Sequence, residues 1–192
     1  MKKIILDLCG GTGAWSKPYK VTGYAVFNIT LPKWDVRKFY YDGPQVYGIL
    51  ASPPCTMFSR ARSHAKTPRD IDGALEIVRA CMRIIWQYKP HFWALENPMG
   101  MLRRYMGRPC YTFDPCDFGD PWLKKTDLWG WFNEPVKHPV KPKNTNYGGS
   151  RWGKLLPELP DDYILPDGMR KETAQRSMTP GGFANAFFKA NL

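Results

Sequence analysis

The chain has 192 residues, 43% of them hydrophobic and 15% aromatic, enough for one domain with a real core. Its formal net charge of +11 favours a polyanionic partner, nucleic acid before an anionic membrane surface. No stretch is long enough to span a bilayer, and the run Ile4 to Leu6 is cut by Asp7 too soon for a signal peptide, so a cytosolic protein with no membrane partner is expected. The five cysteines are an odd number without metal-type spacing, which points to reduced thiols, no metal site, and reactivity as the mark of any special cysteine.

In chain order, Lys3 to Leu8 reads as a buried parallel strand running into Gly10, Gly11 and Gly13, after which Ala14 and Trp15 open a helix. Gly23 to Ile29 and Val46 to Ala51 are further strands, the latter stopped by Pro53 and Pro54. From Arg69 to Tyr88 the apolar residues Ile71, Leu75, Val78, Met82 and Ile85 keep helical spacing, and Pro90 closes the helix. Phe92 to Leu95 is a strand that Glu96-Asn97-Pro98 ends. This rhythm predicts an α/β fold with a doubly wound, Rossmann-like parallel sheet, whose ligands sit beyond the carboxyl ends of the strands. The core is expected over 1–132. An irregular lobe follows over 133–168, rich in Pro, Lys and Gly, and a helix within 169–192 carries Phe183, Phe187 and Phe188 back onto the core.

Three chemically unusual turns fall at strand ends. Glycines after the first strand allow close backbone approach to a nucleotide-like ligand, although many such turns are only turns. In Ser52-Pro53-Pro54-Cys55 two prolines stiffen the turn and present a thiol that could be a nucleophile; alone it reads more readily as a buried structural cysteine. Glu96 is an acid candidate, although in isolation a capping or solvated turn explains it better.

Together, Asp7 to Gly13, then Pro54-Cys55-Thr56-Met57-Phe58-Ser59, then Glu96-Asn97-Pro98, resemble in order the glycine, nucleophile and Glu-Asn-Val motifs of the DNA cytosine-5 methyltransferase family. The resemblance covers about two thirds of the chain. It implies S-adenosyl-L-methionine as cofactor, held by Asp7, Cys9, Gly11, Gly13, Trp15, Thr30, Asp35 and Pro53, and DNA as substrate. It implies Cys55 as the nucleophile that adds to carbon 6 of cytosine, Glu96 as the group sharing a proton with ring nitrogen 3, and Asn97 as a support of the loop. Glu96 is therefore expected to have a raised pKa, and the target base to be flipped out or single-stranded.

The departures are instructive. Thr30 falls where the family usually has an acidic ribose ligand, with Asp35 as a possible substitute. Lys124 falls on the first arginine of the family's eighth motif and Thr126 on the second, so Lys124 is assigned to the site and Lys125 and Ser59 to the substrate side. The segment after Asn133 offers Lys137, Lys141, Lys143, Arg151 and Lys154 with Tyr147 and Trp152 for backbone contact and stacking, with Arg151 taken as substrate-binding. That is small for reading a long sequence, so low specificity or a partner protein supplying it is expected. A catalytically impaired nucleic-acid-binding module or regulatory subunit is the alternative. An amino-directed DNA methyltransferase would want an aromatic residue where Cys55 stands. Nothing senses a 2′-hydroxyl, so RNA stays open as substrate.

Overall fold

A computed structural model describes residues 2–60, 62, 65–143 and 156–192. Six strands form one sheet in the order β2-β1-β3-β4-β6-β5: β1 Ile4–Leu8, β2 Ala25–Ile29, β3 Val46–Ala51, β4 Phe92–Pro98, β5 Tyr111–Phe113 and β6 Thr126–Trp131. The helices are α1 Lys17–Val21, α2 Ile71–Tyr88, α3 Arg103–Met106, α4 Lys171–Ser177 and α5 Gly181–Ala190. The strands β2, β1, β3 and β4 are parallel. The chain leaves β1 for β2 on one side and returns to β3 on the other, which opens a crevice beyond the carboxyl ends of β1 and β3.

Both faces of the sheet are covered. Ile4, Leu6, Leu8, Ile49, Ala51 and Leu95 pack with Val78, Cys81, Ile84 and Ile85 of α2. Ile5, Leu50, Phe92 and Ala94 meet Trp15, Tyr19, Phe183 and Phe187 on the other face. The α2 helix begins where Asp70 accepts a hydrogen bond from the Gly73 amide and stops at Lys89, which takes a left-handed conformation just before Pro90.

The far edge departs from a wholly parallel sheet. Strand β6 runs antiparallel to β4, and β5 antiparallel to β6. Glu96-Asn97-Pro98, expected to end the fourth strand, instead continues it, because β6 offers Leu128, Asp127 and Thr126 as partners. The proline is the last residue of the strand, where its missing amide costs least. Since β6 starts at the edge where β4 ends, the antiparallel turn delivers the residues before Thr126 to the carboxyl edge of the parallel strands.

Among the described residues, 133–143 and 156–168 hold no helix or strand. The first part is laid against the 3-10 helix Pro115–Phe118: the His138 amide donates to the Asp117 carbonyl and the Val140 amide to that of Cys116. No helix among the described residues is long and apolar enough to cross a membrane.

Candidate active site

The loop after β1 is built around a buried carboxylate. Asp7 is fully enclosed and accepts a hydrogen bond from Ser16 Oγ at 2.5 Å, while its Oδ1 has no partner. Desolvation pushes its pKa up to about 7, against the pull of the Ser16 hydrogen bonds. A Cβ on Gly10 would collide with this carboxylate, so only glycine lets the loop close over it. Cys9, Gly11 and Gly13 all have positive φ, at 55°, 53° and 70°. Asn28 of β2 donates from Nδ2 to the Gly11 carbonyl at 3.0 Å, and its buried Oδ1 is also unpartnered. Two oxygens without donors, beside left-handed turns at the crevice, suit a ligand that brings ammonium or hydroxyl donors of its own.

The other cofactor candidates are placed differently. Trp15 is 1% exposed and packs on Phe183 and Phe187, with ring centroids 5.8 and 5.3 Å away, so its body belongs to the core under the loop. Thr30 is half-buried, and its carbonyl accepts from the Trp34 amide. The Asp35 carboxylate is gripped by Arg37 through Nε and Nη2, at 3.0 and 2.7 Å, and these bonds hold its pKa down to about 2. It is thus already engaged as an ion pair.

The loop after β3 is anchored from three sides. Pro53 is buried, and its carbonyl accepts from Asn97 Nδ2 at 2.9 Å. The Cys55 carbonyl accepts from the amides of Phe58 and Ser59 at 2.9 and 2.8 Å, a tight turn that fixes the backbone beneath the thiol. Arg69, just before α2, donates to the carbonyls of Met57 at 2.5 Å and Ser59 at 3.0 Å. The Met101 amide donates to Phe58 O, and Gly100 is placed where any Cβ would strike that carbonyl.

Cys55, Glu96 and Lys124 form one electrostatic group. Burial pushes the Cys55 thiol up, Lys124 pulls it down and Glu96 raises it. Burial likewise raises Glu96, with Lys124 opposing and Asp127 adding to the rise. Lys124 Nζ also donates to the Arg176 carbonyl of α4 at 3.1 Å. Lys125 is exposed beside this group, and Ser59 lies in the Cys55 turn. Thr126 is buried in β6 with its hydroxyl on the Lys124 carbonyl, so it faces the protein interior. Arg151, with Tyr147, Trp152 and Lys154, lies outside the described residues.

Sequence reasoning missed a second charged group on the same edge. Asp127, opposite Asn97 in the β4–β6 register, is 0% exposed and held in a fork by Arg103, at 2.7 and 2.6 Å, with Thr112 Oγ1 donating at 2.9 Å. Arg69 was missed as well. Its partners are backbone carbonyls, which leave no trace in a motif; the only available signal was an arginine at the start of a helix.

The fold is a doubly wound sheet with a glycine loop, a thiol and a buried carboxyl along one edge. The family model for C-5 cytosine-specific DNA methylase matches residues 15–113, and the chain belongs to that family. Among solved structures it is similar to a prophage-encoded protein from E. coli assigned as a DNA modification methyltransferase (TM-score 0.51, 15% identity, 73% of this chain and 53% of that one). It is also similar to the Entamoeba histolytica methyltransferase EhMeth (TM-score 0.48, 14% identity, 77% of this chain and 62% of that one). The chain therefore spans between half and two thirds of the length of these proteins. No curated protein sequence matches it.

Proposed function

We propose that this chain transfers a methyl group from S-adenosyl-L-methionine to carbon 5 of cytosine in DNA, through a covalent adduct at Cys55. The observation that carries this reading is the coupling of Cys55, Glu96 and Lys124 where β3, β4 and β6 meet. A thiol alone is usually structural. A thiol on a triply anchored turn, next to a carboxyl inclined to hold its proton and a cation acting on both, is equipped for addition to an electron-poor ring.

The residues fit the cofactor in part. The unpartnered Asp7 Oδ1 and Asn28 Oδ1 supply acceptors beside the glycine loop, and the space next to Gly11 is open. When bound, the cofactor supplies an electrophilic methyl on a sulfonium. The Cys55 thiol passes its proton to solvent and the thiolate sulfur adds to carbon 6 of the base, the C5–C6 π pair shifting toward ring nitrogen 3. Glu96, whose affinity for a proton burial raises, shares that proton with ring nitrogen 3 as negative charge grows there. Lys124 stabilises the thiolate before attack and spreads charge on the ring after it. Carbon 5 takes the methyl, and loss of its remaining proton to solvent then expels the Cys55 sulfur and restores the C5–C6 double bond.

Two assays test this: methyl transfer from labelled cofactor to DNA, and trapping of the chain on 5-fluorocytosine DNA. Both are expected with the natural chain and neither with Cys55→Ser; normal transfer by Cys55→Ser would sink the mechanism. Bisulfite sequencing of DNA from expressing cells would report recognition, which we expect to be short or supplied by a partner protein. One observation favours a second reading, a non-catalytic nucleic-acid-binding module: the ribose position holds neutral Thr30, and Asp35 is committed to Arg37. Calorimetry separates the two, since a module would bind no cofactor at millimolar concentration.

A further inference from the structure

Two stretches without an acidic side chain meet beside Cys55, residues 43–69 and 97–113. The first carries Arg60, Arg62, Lys66 and Arg69, the second Arg103, Arg104 and Arg108. They are fastened together at Phe58, whose carbonyl accepts from the Met101 amide at 2.9 Å and whose ring lies 6.2 Å from that of Tyr105 in α3. Phe58 belongs to the Cys55 turn, since its own amide donates to the Cys55 carbonyl. On the other flank the Met99 amide donates to the Lys125 carbonyl at 2.8 Å, so 99–101 runs from the β6 edge to that turn. The cations differ in their partners. Arg103 is neutralised by Asp127. Arg69 donates to carbonyls, and Arg62 to carbonyls and the Thr67 hydroxyl, which satisfies hydrogen bonds but leaves both charges uncompensated. Arg60, Arg104 and Arg108 are exposed, and among the described residues their side chains have no hydrogen bond or ion pair. Elsewhere on the surface Arg37, Lys137 and Arg176 are paired with carboxylates.

We propose that Arg60, Arg104 and Arg108, on the Cys55 loop and on α3 with the turn after it, form a phosphate-contacting surface for the DNA strand that carries the target base. This surface deepens the function proposed above and rests on it. A strand whose base reaches the Cys55 sulfur must lay its neighbouring phosphates over the residues around that turn, and these are Phe58, Tyr105 and the free arginines. The guanidinium fork matches two phosphate oxygens at once, and each such contact releases condensed counterions. Tyr105, 46% exposed, offers a ring face to a sugar or an unstacked base between the charges. Because α3 is tied to the Cys55 turn through a hydrogen bond and a ring contact, a strand held on it is placed relative to the thiol by the core itself. Phosphate contacts set register and carry no sequence information, so this surface holds DNA without reading it.

Fluorescence anisotropy with a labelled, cytosine-containing DNA duplex across a range of salt compares the full natural chain with the triple variant Arg60→Gln, Arg104→Gln and Arg108→Gln. The variant should bind at least about tenfold more weakly at low salt, and its slope of log affinity against log salt should be smaller by about 2–3, the counterions of three phosphate contacts. Lysine at the same three positions keeps the charge and should restore most of that slope. A control triple, Lys20→Gln, Arg79→Gln and Lys189→Gln, removes the same net charge from exposed positions on α1, α2 and α5 and should bind within about twofold of the natural chain. Equal losses in the two glutamine triples would overturn the surface and leave only net charge. No DNA binding by the natural chain, or tighter binding to RNA of the same sequence, would overturn it as well. Alkylation of Cys55 should run at the natural rate in the first triple; slowed alkylation would overturn the surface in favour of a structural role for these arginines. Trapping on 5-fluorocytosine DNA separates the two readings. A natural chain that is never trapped, yet loses DNA affinity only in the first triple, supports the surface and counts against methyl transfer.

Discussion

Burial raises the proton affinity of both Cys55 and Glu96, and Lys124 lowers both. For Glu96 the net result suits a proton donor. For Cys55 it opposes the thiolate, so the lysine has to offset desolvation before any attack. Lys124→Met should therefore move the pH midpoint of Cys55 alkylation upward and slow alkylation at neutral pH, while Lys124→Arg keeps the charge and most of the rate; the iodoacetamide pH–rate profile measures this. Asp7 gives a prediction of opposite character. Its folded pKa of about 7 exceeds the unfolded value of 3.8, so the folded state holds the proton more tightly. The resulting stability is fully present below the unfolded value and is lost as pH rises to about 7. The slope is at most about 1.4 kcal/mol per pH unit, and Asp7→Asn should flatten it; urea melts of the ligand-free chain from pH 4.5 to 8 are the test. Residues of this kind are legible in sequence only when a motif flags them. Cys55, Glu96 and Lys124 were flagged as candidates through ordered motifs, and in the structure they lie within electrostatic reach of one another. Arg69 was not, because it acts through backbone carbonyls. Trp15 was read as cofactor-facing from its place in the motif, yet its large apolar ring is swallowed by the α5 aromatics.

At the level of elements, the central strands and α2 were readable because continuous apolar runs and helical spacing are signals of burial. The edge formed by β5 and β6 was not. Its start carries Thr126 and Asp127, both buried, and hydropathy cannot foresee a buried aspartate whose partner lies 24 residues earlier. The Arg103–Asp127 fork explains why the strand tolerates it. It also secures the segment before α3, whose Met101 amide supports the Cys55 turn from below. Removing only the cation should be costly. Arg103→Met leaves Asp127 enclosed without its counter-charge, at a cost of about 2–4 kcal/mol once the partial exposure of Arg103 is allowed for. Asp127→Leu in the same chain removes the stranded charge and should recover much of that loss. A double-mutant cycle by chemical denaturation measures both; if the double variant is no more stable than Arg103→Met, the ion pair is not what holds this edge.

Across the whole molecule, the antiparallel edge and the C-terminal helix cooperate to close the second face of the sheet. The sequence placed a closing helix with inward phenylalanines near the chain's end. What it could not show was the partner, since β5 is only three residues long and shows no clear alternation. In the structure Phe183 stacks on Phe113 of β5, centroids 4.0 Å apart and planes 14° from parallel, and its ring also meets Phe118 and Trp15. Gly182 allows this approach, because a Cβ there would run into the Phe118 carbonyl, while its amide donates to Asp120 at 3.0 Å. Phe183 thus joins the end of the chain to its beginning, through Trp15 beside the glycine loop, and to the β5–β6 edge that delivers Lys124. Phe183→Ala should cost about 3–5 kcal/mol, a large share of the roughly 5–15 kcal/mol that holds a domain together. Because the lost ring lies under the loop and not in the Cys55 turn, cofactor affinity should weaken before Cys55 alkylation changes. Thermal unfolding, calorimetry and alkylation on one preparation separate these effects. A cavity confined to the core would lower the melting temperature and leave both other readouts as they were.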